Sequence, residues 1–225
     1  MNIRVLYEDN HLIAVYKPAG MLVQADKSGE PCLMDAVKMY LKETYHKPGQ
    51  VFLGLLHRLD RPVSGIVLFA KTSKGAARLS EQFREHRIEK IYRALVVGHP
   101  HPARQKLVHV LAKNHLDNKV AVVREGVRGA KRAELTFETI STSKNCSLLE
   151  ITPLTGRPHQ IRVQLASIGH PILGDVKYGA PFADFLGRNI ALCATSLTFQ
   201  TATNQQKKTI SVDIPSEWQK YQNNV

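Results

Sequence analysis

Five short segments rich in valine, leucine and isoleucine follow one another in the middle of the chain, with turn residues but no helical pattern between them. Segments of this composition suit strands, because β-branched and apolar side chains pack well on a pleated sheet. A doubly wound sheet would need helical crossovers between its strands. The pattern therefore favours a large mixed or mainly antiparallel sheet. The segments are Lys90 to Val97, Lys106 to Leu111, Lys119 to Val123, Ala133 to Ile140 and Cys146 to Ile151.

Further strands and a few helices are predicted on both sides of this region, without a linker or an internal repeat. The complete pattern indicates one α+β domain over residues 1–225, with helices flanking the sheet. The predicted strands are Ile3 to Tyr7, His11 to Lys17, Val51 to Leu56, Ile66 to Ala70, Ile190 to Phe199 and Thr209 to Ile214. The predicted helices carry Leu33 to Leu41, then Ala76, Leu79 and Phe83, then Pro158 as a first helical residue followed by Ile161, Leu165 and Ile168.

The charge balance points to an anionic partner. The 225 residues include 31 lysines and arginines against 19 acids, which gives a formal net charge of +12. Such a surplus suits a nucleic acid or an anionic membrane. The basic residues are scattered rather than gathered on one amphipathic helix, and the apolar runs are too short to span a bilayer, so nucleic acid is favoured over a membrane. A generally basic, soluble surface is the alternative.

The cysteines and the first residues predict a location in the cytoplasm. Cys32, Cys146 and Cys193 are odd in number and far apart, which indicates neither a disulfide framework nor a zinc cluster. The first residues indicate a strand rather than a signal peptide. A monomer is expected, because no heptad or long apolar stripe is present.

Several common cofactor motifs are missing. The chain has no phosphate-binding P-loop, no dinucleotide-binding glycine motif and no paired-histidine zinc-protease motif. His99 and His101 have a spacing that metal sites use, but they lie in a Gly/Pro turn without nearby acids, which favours exposed loop histidines. We therefore expect neither a cofactor nor a metal.

The polar loop between Val51 to Leu56 and Ile66 to Ala70 places one carboxylate, Asp60, between Arg58 and Arg61. Neighbouring guanidinium groups favour the ionised form of an acid, so this aspartate could act as a nucleophile or a base. The alternative is structural, since an aspartate beside a proline is commonly a turn or capping residue.

Two later segments add an aromatic ring and a group of polar side chains. Glu89 to Ala94 places Tyr92 on a strand among basic residues, and Gly156 to Arg162 opens a helix with arginine, histidine and glutamine. Tyr92 could equally be a core or edge aromatic. The arginines could contact phosphates or be solvated helix charges.

Together the three segments resemble those of the RluA-type RNA pseudouridine synthases. His57-Arg58-Leu59-Asp60, with Ser64-Gly65 and Ala70-Lys71, looks like the catalytic signature of that family. Lys90 to Ala94 and Gly156 to Arg162 resemble its second and third motifs, in the same order. Tyr7 to Asn10, Val15 to Gly20 and Gly174 to Gly179 resemble flanking patterns, so the resemblance covers roughly residues 5 to 200.

The resemblance implies the pseudouridine synthase catalytic fold and the isomerisation of uridine to pseudouridine in structured ribosomal or transfer RNA, without a cofactor. Asp60 would attack the nucleotide or remove a sugar proton, Tyr92 would pack on the uracil and take the proton from carbon 5, and Arg162, or else Arg157, would pair with Asp60. The family's motifs also supply candidate substrate-binding residues. These are His57, Arg58, Arg61, Ser64, Arg157, His159 and Gln160.

Two departures from the family affect substrate contacts. Val63 stands where the family usually has threonine, which puts only fine substrate contacts in doubt. The chain opens directly on the catalytic region, so the additional N-terminal RNA-binding domain of many relatives is not expected. A non-catalytic RNA-binding or ribosome-assembly protein of the same fold is the alternative function, although both Asp60 and Tyr92 are present. A metal-dependent hydrolase ranks last.

Overall fold

The computed structural model describes residues 3–114, 118–181 and 189–222. They divide into two compact units, the first comprising Met1–Glu89 with Ala194–Val212 and the second comprising Lys90–Cys193 with Asp213–Val225. The strands are β1 (Arg4–Glu8), β2 (Leu12–Lys17), β3 (Gly54–Leu55), β4 (Ser64–Ala70), β5 (Glu89–Val97), β6 (Arg104–Asn114), β7 (Lys119–Val123), β8 (Lys131–Thr142), β9 (Cys146–Pro153), β10 (Leu192–Gln200) and β11 (Lys207–Ser211). The helices are α1 (Leu33–Thr44), α2 (Ser73–Arg84), α3 (Gln160–Ser167) and α4 (Gln219–Gln222), with 3-10 turns at Val176–Tyr178 and Ser216–Trp218.

The sheet of the first unit is built around β4, which is buried at every position. Its strands follow the order β1-β2-β4-β10, with β3 paired to β4 and β11 paired to β10. Apolar side chains from these strands and from α2 form a core, which stabilises the unit by removing their surface from water. The core contains Leu12, Ala14, Ile66, Leu68, Ala70, Leu79, Ile88, Leu197, Phe199, Ala202 and Ile210.

The sheet of the second unit has the order β5-β9-β8-β6-β7. Helix α3 is buried from Gln160 to Leu165, and packs with its Val163 against side chains from β6, β7 and β8. The helix is therefore enclosed on more than one face, and its buried residues include the polar side chains of Gln160, Arg162 and Gln164. None of the helices in the described ranges combines the length and the apolar character needed to cross a membrane.

The predicted α+β class with a mainly antiparallel sheet is confirmed. Every strand pair whose register the described residues give is antiparallel. The strands predicted from the apolar segments are present, with ends that differ by a few residues. The single-domain organisation over residues 1–225 stays a prediction.

The strand predicted for Val51 to Leu56 is wrong in extent, because only Gly54 and Leu55 pair with β4. The pairing of β3 with β4 ends after Leu55, because the next amide of β4 donates to the His57 side chain instead of to a backbone carbonyl. The amide of Leu68, the next position along β4, donates to Nε2 of His57 at 3.0 Å.

The predicted start of the third helix at Pro158 is also wrong. His159 precedes the helix in a left-handed conformation, with φ of 50°, and α3 begins at Gln160. A left-handed residue cannot be part of a right-handed α-helix, so Pro158, which precedes His159, does not belong to this helix. Its fixed φ serves the preceding loop instead.

Candidate functional site

The loop that carries Asp60 is tied to the first unit by backbone hydrogen bonds to the carbonyls of Asp60 and of the residue that follows it. The amide of Val63 donates to the carbonyl of Asp60 at 3.0 Å, which closes a tight turn. The amide of Gly20 donates to the carbonyl of Arg61 at 2.8 Å, which joins this turn to the turn after β2. Asp60 is half-buried. Its carboxylate therefore projects from a backbone that is held in place, as a reactive group requires.

Lys17 strengthens the same connection from inside the first unit. Its side chain is 0% exposed, and its ammonium donates to the carbonyls of Pro18, Met21 and Arg61 at 3.0, 2.8 and 3.0 Å. A buried charge is tolerated when its hydrogen bonds are satisfied. Lys17 therefore fastens the turn after β2 to the residue that follows Asp60.

Gly65 allows β4 to begin close to β10. A Cβ at this position would lie 2.3 Å from the carbonyl oxygen of Ala194, and the φ of Gly65 is +122°. Both observations require glycine, because other residues would collide with the backbone and rarely adopt this φ. Ser64, a predicted substrate contact, is buried at the first position of β4. Its contact with substrate stays a prediction.

The two arginines beside Asp60 have different surroundings. Arg61 donates through Nη1 and Nη2 to the carboxylate of Glu30 at 3.0 and 2.5 Å, and through Nε to the carbonyl of Gly20. Arg58 is exposed and makes no ion pair with any described residue. Arg58 is therefore better placed to bind a phosphate, whereas the predicted substrate contact of Arg61 would compete with Glu30.

His57 has a structural role that its sequence motif does not indicate. Besides accepting from Leu68, its ring stacks on Phe83 of α2, with ring centroids 5.0 Å apart. Since Nε2 accepts a hydrogen bond, it carries no proton in this arrangement. These contacts favour a role in closing the edge of β4 over the predicted role in substrate binding.

In the second unit, Tyr92 lies on β5 opposite Ile151 of β9. The residue is half-buried. Successive side chains of a strand alternate between the two faces of a sheet, so Lys90 and Ala94 share the face of Tyr92. The predicted packing of this ring on uracil stays a prediction.

Arg162 is held by a carboxylate that sequence reasoning missed. Its Nε and Nη2 donate to the two oxygens of Asp175 at 2.7 and 2.8 Å, in a bidentate ion pair. The side chains are only 6% and 1% exposed. A bidentate pair fixes the plane of the guanidinium as well as its position. The predicted pairing of Arg162 with Asp60 stays a prediction.

Tyr178 connects this ion pair with the loop before α3. The guanidinium carbon of Arg162 lies 5.1 Å from the centre of the Tyr178 ring. The Tyr178 hydroxyl accepts from the amide of Val120 at 3.0 Å and lies 2.7 Å from Nδ1 of His159. With its acceptor site used by Val120, the hydroxyl can donate its proton to Nδ1. His159, a predicted substrate contact, therefore also has a structural contact, because it links the loop before α3 to Tyr178.

Gln160 has three hydrogen bonds inside the second unit, although a substrate contact was predicted. Its Oε1 accepts from the Thr155 hydroxyl at 2.7 Å and from the amide of Arg157 at 3.0 Å, and its Nε2 donates to the carbonyl of Glu134 at 2.9 Å. The side chain is buried. The structure thus favours support of the loop before α3 over direct contact with substrate.

Asp175 and Lys17 are the positioning residues that the sequence analysis did not assign. Both lie in segments that resemble flanking patterns of the family, and this was the available signal. Asp175 is 13 residues from its arginine, and Lys17 is 44 residues from Arg61. No local spacing rule connects such pairs, because the fold alone brings them together.

No group of three or more metal-binding side chains occurs within the described ranges. The ring of His99 lies 3.2 Å from the Ser147 hydroxyl through Nδ1 and 3.3 Å from the carbonyl of Lys144 through Nε2. Exposed basic side chains lie in and beside the loop between β7 and β8, and one of them, Arg132 on β8, pairs with Glu134. The others in or beside this loop are Arg124, Arg128 and Lys131.

Comparison with known proteins places these features in a family. Residues 11–167 match the family model described as RNA pseudouridylate synthase. The chain is 39% identical over 180 residues to ribosomal large subunit pseudouridine synthase D of Zymomonas mobilis, covering 79% of this chain and 56% of that protein. It is 32% identical over 243 residues to tRNA pseudouridine synthase C of Haemophilus ducreyi, covering 97% of this chain and 94% of that protein.

Two solved structures have a similar fold over most of the chain. Human RNA Pseudouridylate Synthase Domain Containing 4 is 26% identical, with a TM-score of 0.79 that covers 96% of this chain and 90% of that chain. Human RNA Pseudouridylate Synthase Domain Containing 1 is 25% identical, with a TM-score of 0.72 that covers 94% and 84%. The fold predicted from the three motifs is thus confirmed.

Proposed function

Because the chain belongs to the RNA pseudouridylate synthase family, we propose that it converts uridine to pseudouridine in ribosomal or transfer RNA. The relatives named above include one that acts on the large ribosomal subunit and one that acts on tRNA, which supports both substrate classes. The net charge of +12 suits a polyanionic substrate. The observation that carries the proposal is the anchored loop of Asp60. Its Asp60 carbonyl accepts a hydrogen bond from Val63, and its Arg61 carbonyl accepts from Gly20 and Lys17.

The reaction rearranges one nucleotide without a change in its composition. The bond from carbon 1 of the sugar to nitrogen 1 of uracil breaks, the base turns, and a bond forms between the same sugar carbon and carbon 5. Carbon 5 loses its proton and nitrogen 1 gains one, so reactant and product are isomers. Asp60, as an ionised carboxylate, can start this sequence by covalent attack or by removing a sugar proton.

Tyr92 is our candidate for the base that takes the proton from carbon 5. Its ring offers an apolar face for the uracil, and its phenol oxygen can accept a proton directly or through water. Its position on β5, rather than on a loop, limits its movement. We assign Arg162 the role of orienting the Asp60 carboxylate, with Asp175 keeping the guanidinium in its plane.

A stacked uridine must leave its helix before it can reach these groups. Extruding a base costs a few kcal/mol, which contacts to the RNA backbone can offset. Arg58, Arg124, Arg128 and Lys131 are exposed cations that suit phosphate contacts. RNA binding should therefore weaken steeply as salt concentration rises.

The proposal is tested by tritium release from RNA labelled at carbon 5 of uridine. Transfer RNA and ribosomal RNA transcripts are incubated with the wild-type protein, with Asp60→Asn and with the matched control Asp213→Asn, which changes an exposed aspartate. We expect release that is unaffected by a chelator, is retained in the control and is lost in Asp60→Asn. Wild-type protein that binds these RNAs but releases no tritium would favour the non-catalytic alternative.

A further inference from the structure

Lys90 places a cation on the sheet face that also carries Tyr92. The two residues are two positions apart on β5, so their side chains share a face and their Cα atoms are roughly 6.6 Å apart. The Lys90 ammonium extends towards the loop before α3. It lies 3.8 Å from the point that a Cβ on Gly156 would occupy.

This ammonium has no protein partner in the described part of the chain. The ion pairs nearby involve its neighbours, with Glu89 bonded to Lys207 and Arg93 bonded to Glu150. Burial lowers the pKa of Lys90, and no neighbouring acid opposes this effect. The partly buried ammonium therefore loses hydration that no described protein group replaces.

The surroundings of Lys90 leave its ammonium open to a ligand. The side chain is half-buried, and its Nζ is not among the fully enclosed, unbonded polar atoms of the described residues. Gly156 is exposed and its φ is not in the left-handed region, so the backbone does not require glycine here. The absence of a side chain at this position keeps the approach to Nζ clear.

A second cation follows Gly156 directly. Arg157 donates through Nε to the carbonyl of Arg132 at 3.0 Å, and its side chain makes no ion pair with any described residue. One cation, Lys90, therefore approaches Gly156 in space, and a second, Arg157, follows this glycine in the chain. A phosphate oxygen suits a compact ammonium and a guanidinium equally well.

We propose that Lys90 is an RNA-binding residue that contacts a backbone phosphate next to the uridine received by Tyr92, with Arg157 approaching the same stretch of backbone. The identity of the ligand as RNA rests on the proposed function. The phosphate supplies the negative charge that the protein does not provide. Binding of RNA thus compensates the cost of keeping this ammonium partly out of water.

The first experiment measures RNA affinity as a function of salt for wild-type protein, Lys90→Met and Lys90→Arg. The probe is unfractionated transfer RNA, and Lys42→Met, an exposed lysine of α1, removes the same charge elsewhere. Loss of one phosphate contact should lower the slope of log affinity against log salt by about 0.7 to 0.9. Raising KCl from about 50 to about 200 mM weakens binding by a certain factor, and this factor should be about threefold smaller for Lys90→Met than for wild type.

Lys90→Arg should retain most of the wild-type slope, because it keeps the charge. An unchanged slope in Lys90→Met, or an equal decrease in Lys42→Met, would overturn the proposal, since net charge would then explain the effect. Absence of binding to transfer RNA would count against it as well.

A second experiment requires no substitution and so avoids any effect on folding. Lysines of the wild-type protein are acylated at a low dose of an amine-reactive ester, with and without saturating RNA, and modified peptides are quantified by mass spectrometry. We expect RNA to protect Lys90 several-fold more than Lys42. Equal modification of Lys90 with and without RNA would refute the contact.

The salt dependence of affinity and the protection from acylation both report binding rather than catalysis. The proposed isomerase function and the proposed phosphate contact of Lys90 can therefore fail separately. Protection of Lys90 without tritium release from any RNA would remove the isomerase function and keep the phosphate contact. Tritium release together with an unprotected Lys90 would keep the function and remove the contact.

Discussion

Replacing Asp175 with asparagine should destabilise the second unit strongly, because it removes the negative charge that pairs with both Nε and Nη2 of the buried Arg162 guanidinium. The two hydrogen bonds measure 2.7 and 2.8 Å, and both side chains are almost fully enclosed. At an effective dielectric constant of about 20, two charges about 4 Å apart attract by about 4 kcal/mol. Breaking a buried pair by removing one partner typically costs about 3 to 5 kcal/mol.

Asparagine keeps one acceptor oxygen, so we expect a loss of about 3 kcal/mol in the free energy of unfolding. For a chain of this size, each kcal/mol lowers the melting temperature by about 2 to 4 °C, which gives a decrease of about 6 to 12 °C. The assay is urea unfolding followed by fluorescence of Trp218. This side chain is the single tryptophan of the chain, is 1% exposed, and belongs to the same unit.

The matched control is Glu150→Gln, which also converts a paired carboxylate of the second unit to an amide. Its partner is Arg93, and these side chains are 28% and 33% exposed, so the expected loss is below about 1 kcal/mol. Equal losses in the two variants would refute the argument that burial sets the cost. Tritium release should fall in Asp175→Asn and not in the control, because only the first disturbs Arg162.

Two further predictions concern the first unit. Gly65→Ala should prevent stable folding, because its Cβ would collide with the carbonyl of Ala194, whereas Gly49→Ala, in open space, should leave the melting temperature nearly unchanged. Burial alone would raise the pKa of Glu8, but the hydrogen bond from Lys71 and those from two tyrosines lower it overall. A lowered pKa gives stability that is present above the unfolded-state pKa, about 4.3, and is lost as pH falls through the folded-state value. The difference in unfolding free energy between wild type and Glu8→Gln should therefore be larger at about pH 6 than at about pH 3, and an equal difference at both would contradict this assignment.

The strands and the main candidate residue could be predicted from local sequence. Runs such as Lys119 to Val123 became strands at the same positions, because a β-branched, apolar composition favours a pleated and partly buried backbone. Asp60 was recognisable because its polar loop lies between apolar runs and carries a motif of defined residues. Such features depend on neighbours along the chain, which a sequence displays directly.

The partners of the site residues depended on the tertiary structure. Asp175 pairs with Arg162, Lys17 supports the loop of Asp60, and the ring of His57 accepts from Leu68, and none of these contacts follows from spacing. A polar side chain in the interior bonds to whichever group the fold places within about 3 Å, since an unsatisfied buried group is costly. The sequence by itself therefore determined which residues are the candidates for the chemistry, and the packing of distant segments decided what holds them in position.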